Sequence, residues 1–257
     1  ADATAGDTGM PGEGAVFRFA SLNVRDPHFF ADVAVLGCTD VTDEAPLGMP
    51  GVNDQFNEAI NMDIGPDDMP DGNLDLSLLL LFETLDQNDG GMGNMTFANG
   101  SCPAAGGDCT LLADTMEYPT MYTTSDAGPC ENTVAADLSG YNPAPGTTAG
   151  PCFSAGPSTV VIATSSFTLT LEDTEISATY TGSPATSLMS GTLRGFLTTA
   201  NAEATILPQE LQDSTGPTNV AGLLPGGNGS CAAGDDTDGD GWWFYADFTA
   251  LSSSWAG

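Results

Sequence analysis

The chain has 257 residues, with 35 acidic residues set against three arginines, no lysine and one histidine, a formal net charge of −32. That balance excludes a nucleic-acid backbone or an anionic membrane surface as a plain electrostatic partner. No run of 18 apolar residues occurs, so no helical membrane span is expected.

The 32 glycines and 17 prolines favour many short strands joined by turns. The expected fold is mainly β: an antiparallel β-sandwich or barrel-like domain with one or two short helices and long disulfide-stapled loops. Residues 1–14, ADATAGDTGMPGEG, show no apolar periodicity and read as a flexible N-terminal arm. A single β-rich domain is expected over 15–257. The chain begins at Ala1 without a methionine, which reads as a mature product after signal-peptide removal.

AVFRFASLNV (15–24) reads as a strand with Val16, Phe17, Phe19 and Leu22 as its apolar residues, and ADVAVLGC (31–38) as a second. In VNDQFNEAIN (52–61), Val52, Phe56, Ala59 and Ile60 fall at helical spacing, which predicts a short amphipathic helix. LDLSLLLLF (74–82) reads as a core strand. Residues 86–158 are turn-rich, with short strands near 116–123 and four of the six cysteines. FTLTLED and EISATYTG alternate with period two, and Glu172-Asp173-Thr174 suits a hairpin turn between them. SLMSGTLRGFL continues as a strand with Gly191 and Gly195 at bulges or close contacts. NAEATILP predicts a short helix with Asn201 as its N-cap. WWFYADFTAL (242–251) reads as a terminal strand with large residues on both faces.

The cysteine count is even, no CxxC occurs, and one histidine is too few for most zinc sites. The six are therefore read as disulfides in an oxidising, extracellular or cell-surface compartment. Cys102 and Cys109 flank a Gly-rich turn, Cys130 and Cys152 bracket a Pro/Gly loop, and Cys38 and Cys231 remain to tie the early chain to the late chain. In the loop-entropy model these closures contribute about 2.5, 3.4 and 5 kcal/mol.

The strongest chemical signal is DDTDGDGWWFYAD (235–247). A calcium loop needs hard oxygen ligands at positions 1, 3 and 5, a turn glycine at 6, a carbonyl at 7 and an acid at 12. Asp236, Asp238, Asp240, Gly241, Trp242 and Asp247 sit at those offsets. The stretch resembles the D-x-D-x-D-G loops of EF-hand, dockerin and thrombospondin type 3 modules. That resemblance implies bound Ca2+ but not the EF-hand fold, because the flanks read as loop then strand and position 12 is Asp. DIGPDDMPDGNLDLS (63–77) offers a less regular second set in Asp67, Asp71, Asn73 and Asp75, and DQNDGG (86–91) a weaker third.

Catalytic motifs are scarce. His28 in RDPHFF is the one histidine, and no G-x-S-x-G elbow, P-loop or dinucleotide fingerprint occurs. With 35 acids, any carboxylate pair can be chosen, so none signals a glycosidase. The layout also resembles uncharacterised secreted acidic bacterial proteins that share LRGFL (here 193–197), LDLS (74–77) and GWWFY (241–245). That resemblance implies a secreted context and no mechanism. The sequence thus points to a secreted, calcium-stabilised structural protein rather than an enzyme, a subunit of an extracellular filament or surface assembly. It would associate with its own copies through the N-terminal arm. A calcium-dependent carbohydrate-binding surface protein, with Trp242 or Trp243 stacked on a glycan, is the alternative.

Overall fold

The structure is a computed structural model that describes residues 14–33, 35–65, 72–113, 115–128, 130, 150–229, 231 and 240–256. Apolar residues recurring along strand β1 (Ala15–Asp26) turn Phe17, Phe19, Leu22 and Val24 to one face, where all four are buried. Two short hairpins follow, β2 (Phe30–Val33) with β3 (Gly37–Asp40), and β4 (Glu44–Ala45) with β5 (Met49–Pro50). Helix α1 (Val52–Ile64) then leads to β6 (Ser77–Phe82), β7 (Met92–Ser101), β8 (Asp108–Leu111), β9 (Tyr118–Ser125), β10 (Cys152–Ala163), β11 (Thr168–Thr181) and β12 (Ser187–Thr198). Helices α2 (Thr199–Ala204) and α3 (Gln209–Thr215) precede the last strand, β13 (Gly241–Trp255).

Eight of these strands close on themselves in the order β1-β6-β7-β9-β10-β11-β12-β13 and back to β1, each pair antiparallel. The fold is thus a barrel rather than a sandwich. β13 completes it by pairing with β1 from Val16↔Ser253 to Asp26↔Tyr245. Closure removes the unpaired edges that an open sheet would expose.

Side chains fill the lumen. Phe17, Tyr122 and Phe153 each meet Phe82 edge-on at centroid separations of 5.8, 5.1 and 5.2 Å, and Phe19 lies 4.5 Å from Phe248. These are favourable ring geometries that add to simple burial. Gly191 makes room for the Phe248 ring, since a Cβ there would lie 2.6 Å from it, and Gly195 does the same for Leu171 and Thr174. At the helical end, Phe56 of α1 seats edge-on against Phe167 at 4.8 Å and stacks on Phe29 at 5.8 Å.

β6 explains the unbroken apolar run read from the sequence. All six of its residues are buried. Leu78, Leu80 and Phe82 face the lumen, whereas Leu79 and Leu81 join Val16, Ala98 and the Cys102–Cys109 loop in a second cluster outside the wall.

β1 and β6 pair only over Ala15–Arg18 and Leu79–Phe82. Above that point the edge of β1 is taken by α1. Asn61 accepts from Leu22 N–H at 3.0 Å and donates to Leu22 C=O at 2.9 Å. Asn57 does the same for Val24, at 2.6 and 3.2 Å. The match is geometric. Four residues of helix rise about 6 Å, and two residues of strand advance about 6.6 Å, so two amides at i and i+4 reach alternate strand residues. Arg18 adds a hydrogen bond to Ile64 C=O at the last turn of the same helix.

Three disulfides are present, Cys38–Cys231, Cys102–Cys109 and Cys130–Cys152, with Cα separations of 5.4, 4.3 and 6.1 Å. The helix expected over 52–61 forms and runs on to Ile64, burying Val52, Phe56, Ile60 and Ile64. Other details differ. Residues 31–38 turn back at Val35 and Leu36 into the β2–β3 hairpin instead of running straight. Glu172-Asp173-Thr174 is a bulge within the continuous β11, with Asp173 at φ 46°, and the hairpin turns lie at 164–167 and 182–186. The cap of α2 is Thr198, whose hydroxyl accepts from Asn201 N–H, so Asn201 sits inside the helix it was expected to start. The residues of the arm before Gly14 lie outside those described.

Replacing Asn61 with Ala leaves the part-buried Leu22 N–H and C=O without these partners. The expected cost is about 1–3 kcal/mol, read as a lowered urea midpoint at unchanged slope. Glu58→Ala, on the exposed side of the same helix, should stay within about 0.5 kcal/mol.

Candidate functional site

Asp240 leads directly into β13, and the packing at that entry is dense. Asp240 C=O accepts from both Thr199 N–H at 2.7 Å and Thr199 Oγ1–H at 2.6 Å. Gly241 lies so close to Leu197 C=O that a Cβ would come within 2.3 Å of it. Trp242 turns inward, 2% exposed, and donates its Nε1–H to Pro225 C=O at 2.9 Å.

Asp247 sits elsewhere. It is six residues into β13, about 20 Å from Gly241 at strand rise, and faces Asn23 and Thr192 across the ladder. Its Oδ1 accepts from Asn23 Nδ2 at 2.9 Å, and its Oδ2 accepts from Arg25 Nε at 2.7 Å. The Arg25 guanidinium thus holds this carboxylate as the partner of an ion pair across the barrel seam. The structure does not bring Asp240 and Asp247 together, because the strand begins before position 12 is reached. Asp236 and Asp238 lie outside the described residues.

Of the second acidic stretch, Asp67 and Asp71 also lie outside the described residues. Asn73 forms a β-bridge with Pro103, Gly72 C=O accepts from Ala104 N–H, and Leu74 N–H donates to Cys102 C=O. Asp75 follows on the approach to β6. Residues 72–74 are therefore strapped to the small disulfide loop. In the third, Asp86 Oδ1 accepts from Asn88 N–H and Nδ2–H, and Asp89 Oδ1 accepts from Asp126 N–H. Tyr180 donates to Gln87 C=O beside them. Burial pushes the Tyr180 hydroxyl pKa up, and Asp126, Asp86 and Asp89 push it further. Among the described residues no group of three or more His, Cys, Asp or Glu is arranged to hold a metal ion.

His28 lies between two carboxylates: its Nδ1 is 2.8 Å from Asp40 Oδ2, and its Nε2 is 3.6 Å from Asp26 Oδ1. Burial pushes the Asp40 carboxyl up, but hydrogen bonds from Thr42 Oγ1–H, Thr42 N–H and His28 outweigh it and hold the carboxyl below its usual range. This group ties β3 to the end of β1, next to the cysteine that joins β3 to the late chain.

Sequence reasoning did not anticipate the Arg194 cluster. Arg194 places its guanidinium 3.5 Å from the Trp243 ring centroid, with Tyr245 5.9 Å away and Phe196 edge-on to Trp243 at 5.2 Å. The signal was available in the alternation of Arg194/Phe196 and Trp243/Tyr245, which puts all four on the outer face of two paired strands. Burial pushes the neighbouring Glu175 carboxyl up, against the lowering pull of Arg194. For the glycan reading, Trp242 is buried and offers no ring, whereas Trp243 is half-buried with the guanidinium over one face.

The class these observations define is a closed, filled, disulfide-stapled antiparallel barrel with an acidic surface. No protein-family model, curated protein or solved structure matches the chain, so its residues carry the functional argument unaided.

Two expectations test this site. Asp247→Asn should weaken the Arg25 pair and cost at most about 1 kcal/mol, while leaving any calcium-induced rise in melting temperature unchanged. A loss of that rise would make Asp247 a ligand. The depressed Asp40 carboxyl stabilises the fold above its unfolded pKa of about 3.9, and that contribution is lost as pH falls through the lower folded value. Asp40→Asn should therefore destabilise near neutrality, and its gap from the wild type should close as pH drops below about 4, followed by thermal melts.

Proposed function

We propose that this protein is a secreted structural subunit of an extracellular filament or surface assembly, and that divalent cations, calcium foremost, offset its charge. The observation that carries the reading is the filled lumen. Carrier barrels of this strand number keep an internal chamber for a ligand, whereas here Phe17, Phe82, Tyr122 and Phe153 pack at one end and Phe56 and Phe167 close the other. A barrel so built offers its outer walls and loops for interaction. Three disulfides suit an oxidising exterior.

A net charge of −32 sets the terms of association. Copies repel one another unless salt screens the charge or cations bridge it. Asp236, Asp238 and their neighbours in 235–240 supply hard oxygens of the kind calcium prefers, in the weak-affinity range of about 10⁻⁴ to 10⁻³ M seen in extracellular modules. The arm of residues 1–14 is the proposed link between copies.

Negative-stain imaging with and without a chelator tests the reading. Wild-type protein should form ordered assemblies with calcium and lose them without it, and a variant lacking residues 1–14 should stay folded and form no ordered assembly. Dispersed wild-type particles at every calcium concentration overturn the proposal.

A further inference from the structure

The charge of this chain is unevenly placed. β6, β7, β9 and β10 are consecutive around the barrel, and no Asp, Glu, Lys, Arg or His occurs in any of them, in a chain that is 15% charged. The opposite wall carries Arg18, Arg25 and Asp26 on β1, Glu172, Asp173 and Glu175 on β11, Arg194 on β12 and Asp247 on β13. The disulfide loop covers the outside of β6. Among the described residues, none is packed over Met92 and Met121 on the outside of β7 and β9.

On that open face, Met92 and Met121 are 63% and 59% exposed, and their strands are paired so that Met92 stands opposite Thr123 and Met121 opposite Asn94. The two thioethers are diagonal neighbours on one face. Thr123 and Ser154 extend the face onto β10 with hydroxyls 3.3 Å apart. Among the described residues, charges stand at the rim: Glu83, which accepts from Asn94 Nδ2 at 3.0 Å, Glu117 at the approach to β9, and Asp126 past its end with Asp89 beside it.

We propose that this neutral, methionine-bearing wall is a docking surface for a second copy of the same chain. The proposal rests on the assembly reading above and names one of its contacts. Charge selects the occupant. A cationic partner is drawn to the acidic faces, and an anionic one is repelled by them. A neutral, thioether-rich surface is best matched by another of its kind, and each copy displays one. A two-fold arrangement brings the methionines of both copies together and leaves the acidic rims at the solvent edge, where salt screens them. Methionine suits this role because its flexible, polarisable side chain adapts to an opposing surface. The patch is small, roughly 25 Å long and three strands or about 14 Å wide, so the contact belongs with weak interfaces and acts by repetition within an assembly.

The sign of the salt dependence is the signature. An interface of ion pairs or calcium bridges weakens as salt rises, whereas this one tightens, because salt removes the residual repulsion and leaves apolar contact in place. Sedimentation velocity on the full chain, in chelator, should show concentration-dependent dimers that strengthen severalfold from about 0.05 to about 0.5 M NaCl, as the Debye length falls from roughly 14 to 4 Å. The Met92→Glu/Met121→Glu variant should stay monomeric throughout with an unchanged melt, since both side chains are exposed. Deleting residues 1–14 should leave the dimer intact. If the double variant associates like the wild type, the wall is not the contact and the assembly reading survives. A wild type that stays monomeric in chelator at all salts overturns the wall, and the calcium imaging above then decides the assembly reading separately.

Discussion

The structure depends on how its first and last strands find each other. β13 must reach β1 across nearly the whole chain, and every other wall strand lies between them in sequence. Such long-range pairing carries the largest loop-closure cost in the fold. Three features reduce the uncertainty of that meeting. The Cys38–Cys231 bond joins the segment after β1 to the segment before β13. The Arg25–Asp247 pair and the Ser21–Thr249 hydroxyl contact fix the register along the seam. On the far edge of β1, the amides of Asn57 and Asn61 do the work of a neighbouring strand where β6 diverges. Polar side chains thus complete a barrel that backbone pairing alone leaves ajar.

The placement of the arginines follows from the same constraint. With three cations for 35 acids, each one is costly to spend on the surface at large. Arg18 and Arg25 lie on β1, where they bond the end of α1 and the Asp247 carboxylate, and Arg194 lies over the Trp243 ring on the strand next to it. All three therefore brace β13 or its immediate neighbours. The seam is where attraction is most useful, because it is where the chain closes. The other half of the barrel achieves compatibility differently, by carrying no charge on its strands. One wall engages its arginines with a carboxylate, a carbonyl and an aromatic ring, and the other carries no charge on its strands. Among the described residues the remaining acids, those beyond β1, β11 and β13, lie outside the barrel strands, mostly on exposed helix, hairpin and turn positions where water and salt moderate their repulsion.

Much of this was legible in residue order. The disulfide pairing followed from which cysteines bracket Gly/Pro turns and which two were left over. LSLLLLF declared a strand buried on both faces, and Val52, Phe56 and Ile60 declared a helix. The misreadings share a cause: local turn chemistry was weighed without the partner strand. Glu172-Asp173-Thr174 has the composition of a hairpin turn, but β12 continues past it and converts it into a bulge. Asn201 is a good cap residue, yet Thr198 stands one turn earlier at the strand exit and captures its N–H. The asparagine ladder was hidden for the opposite reason. Asn57 and Asn61 are unremarkable on a helix until β1 is laid beside them.

The stretch DDTDGDGWWFYAD shows how far motif spacing carries. As a linear pattern, its six offsets match a calcium loop, and a twelfth-position acid looks like the ligand that closes it. In three dimensions the pattern is cut at Gly241. Everything after that residue belongs to a strand whose position is set by its own contacts: the Trp242 indole on Pro225, the ladder with Leu197 and the arginine on Asp247. A strand so anchored does not need a cation to hold it. The proposed cation binding by this stretch therefore rests on the acids before Gly241, a shorter set. The useful consequence of such weak binding is collective. In the proposed assembly, many low-affinity acids repeated on every copy would make its state responsive to the ionic medium while each barrel stays folded through its disulfides and filled core.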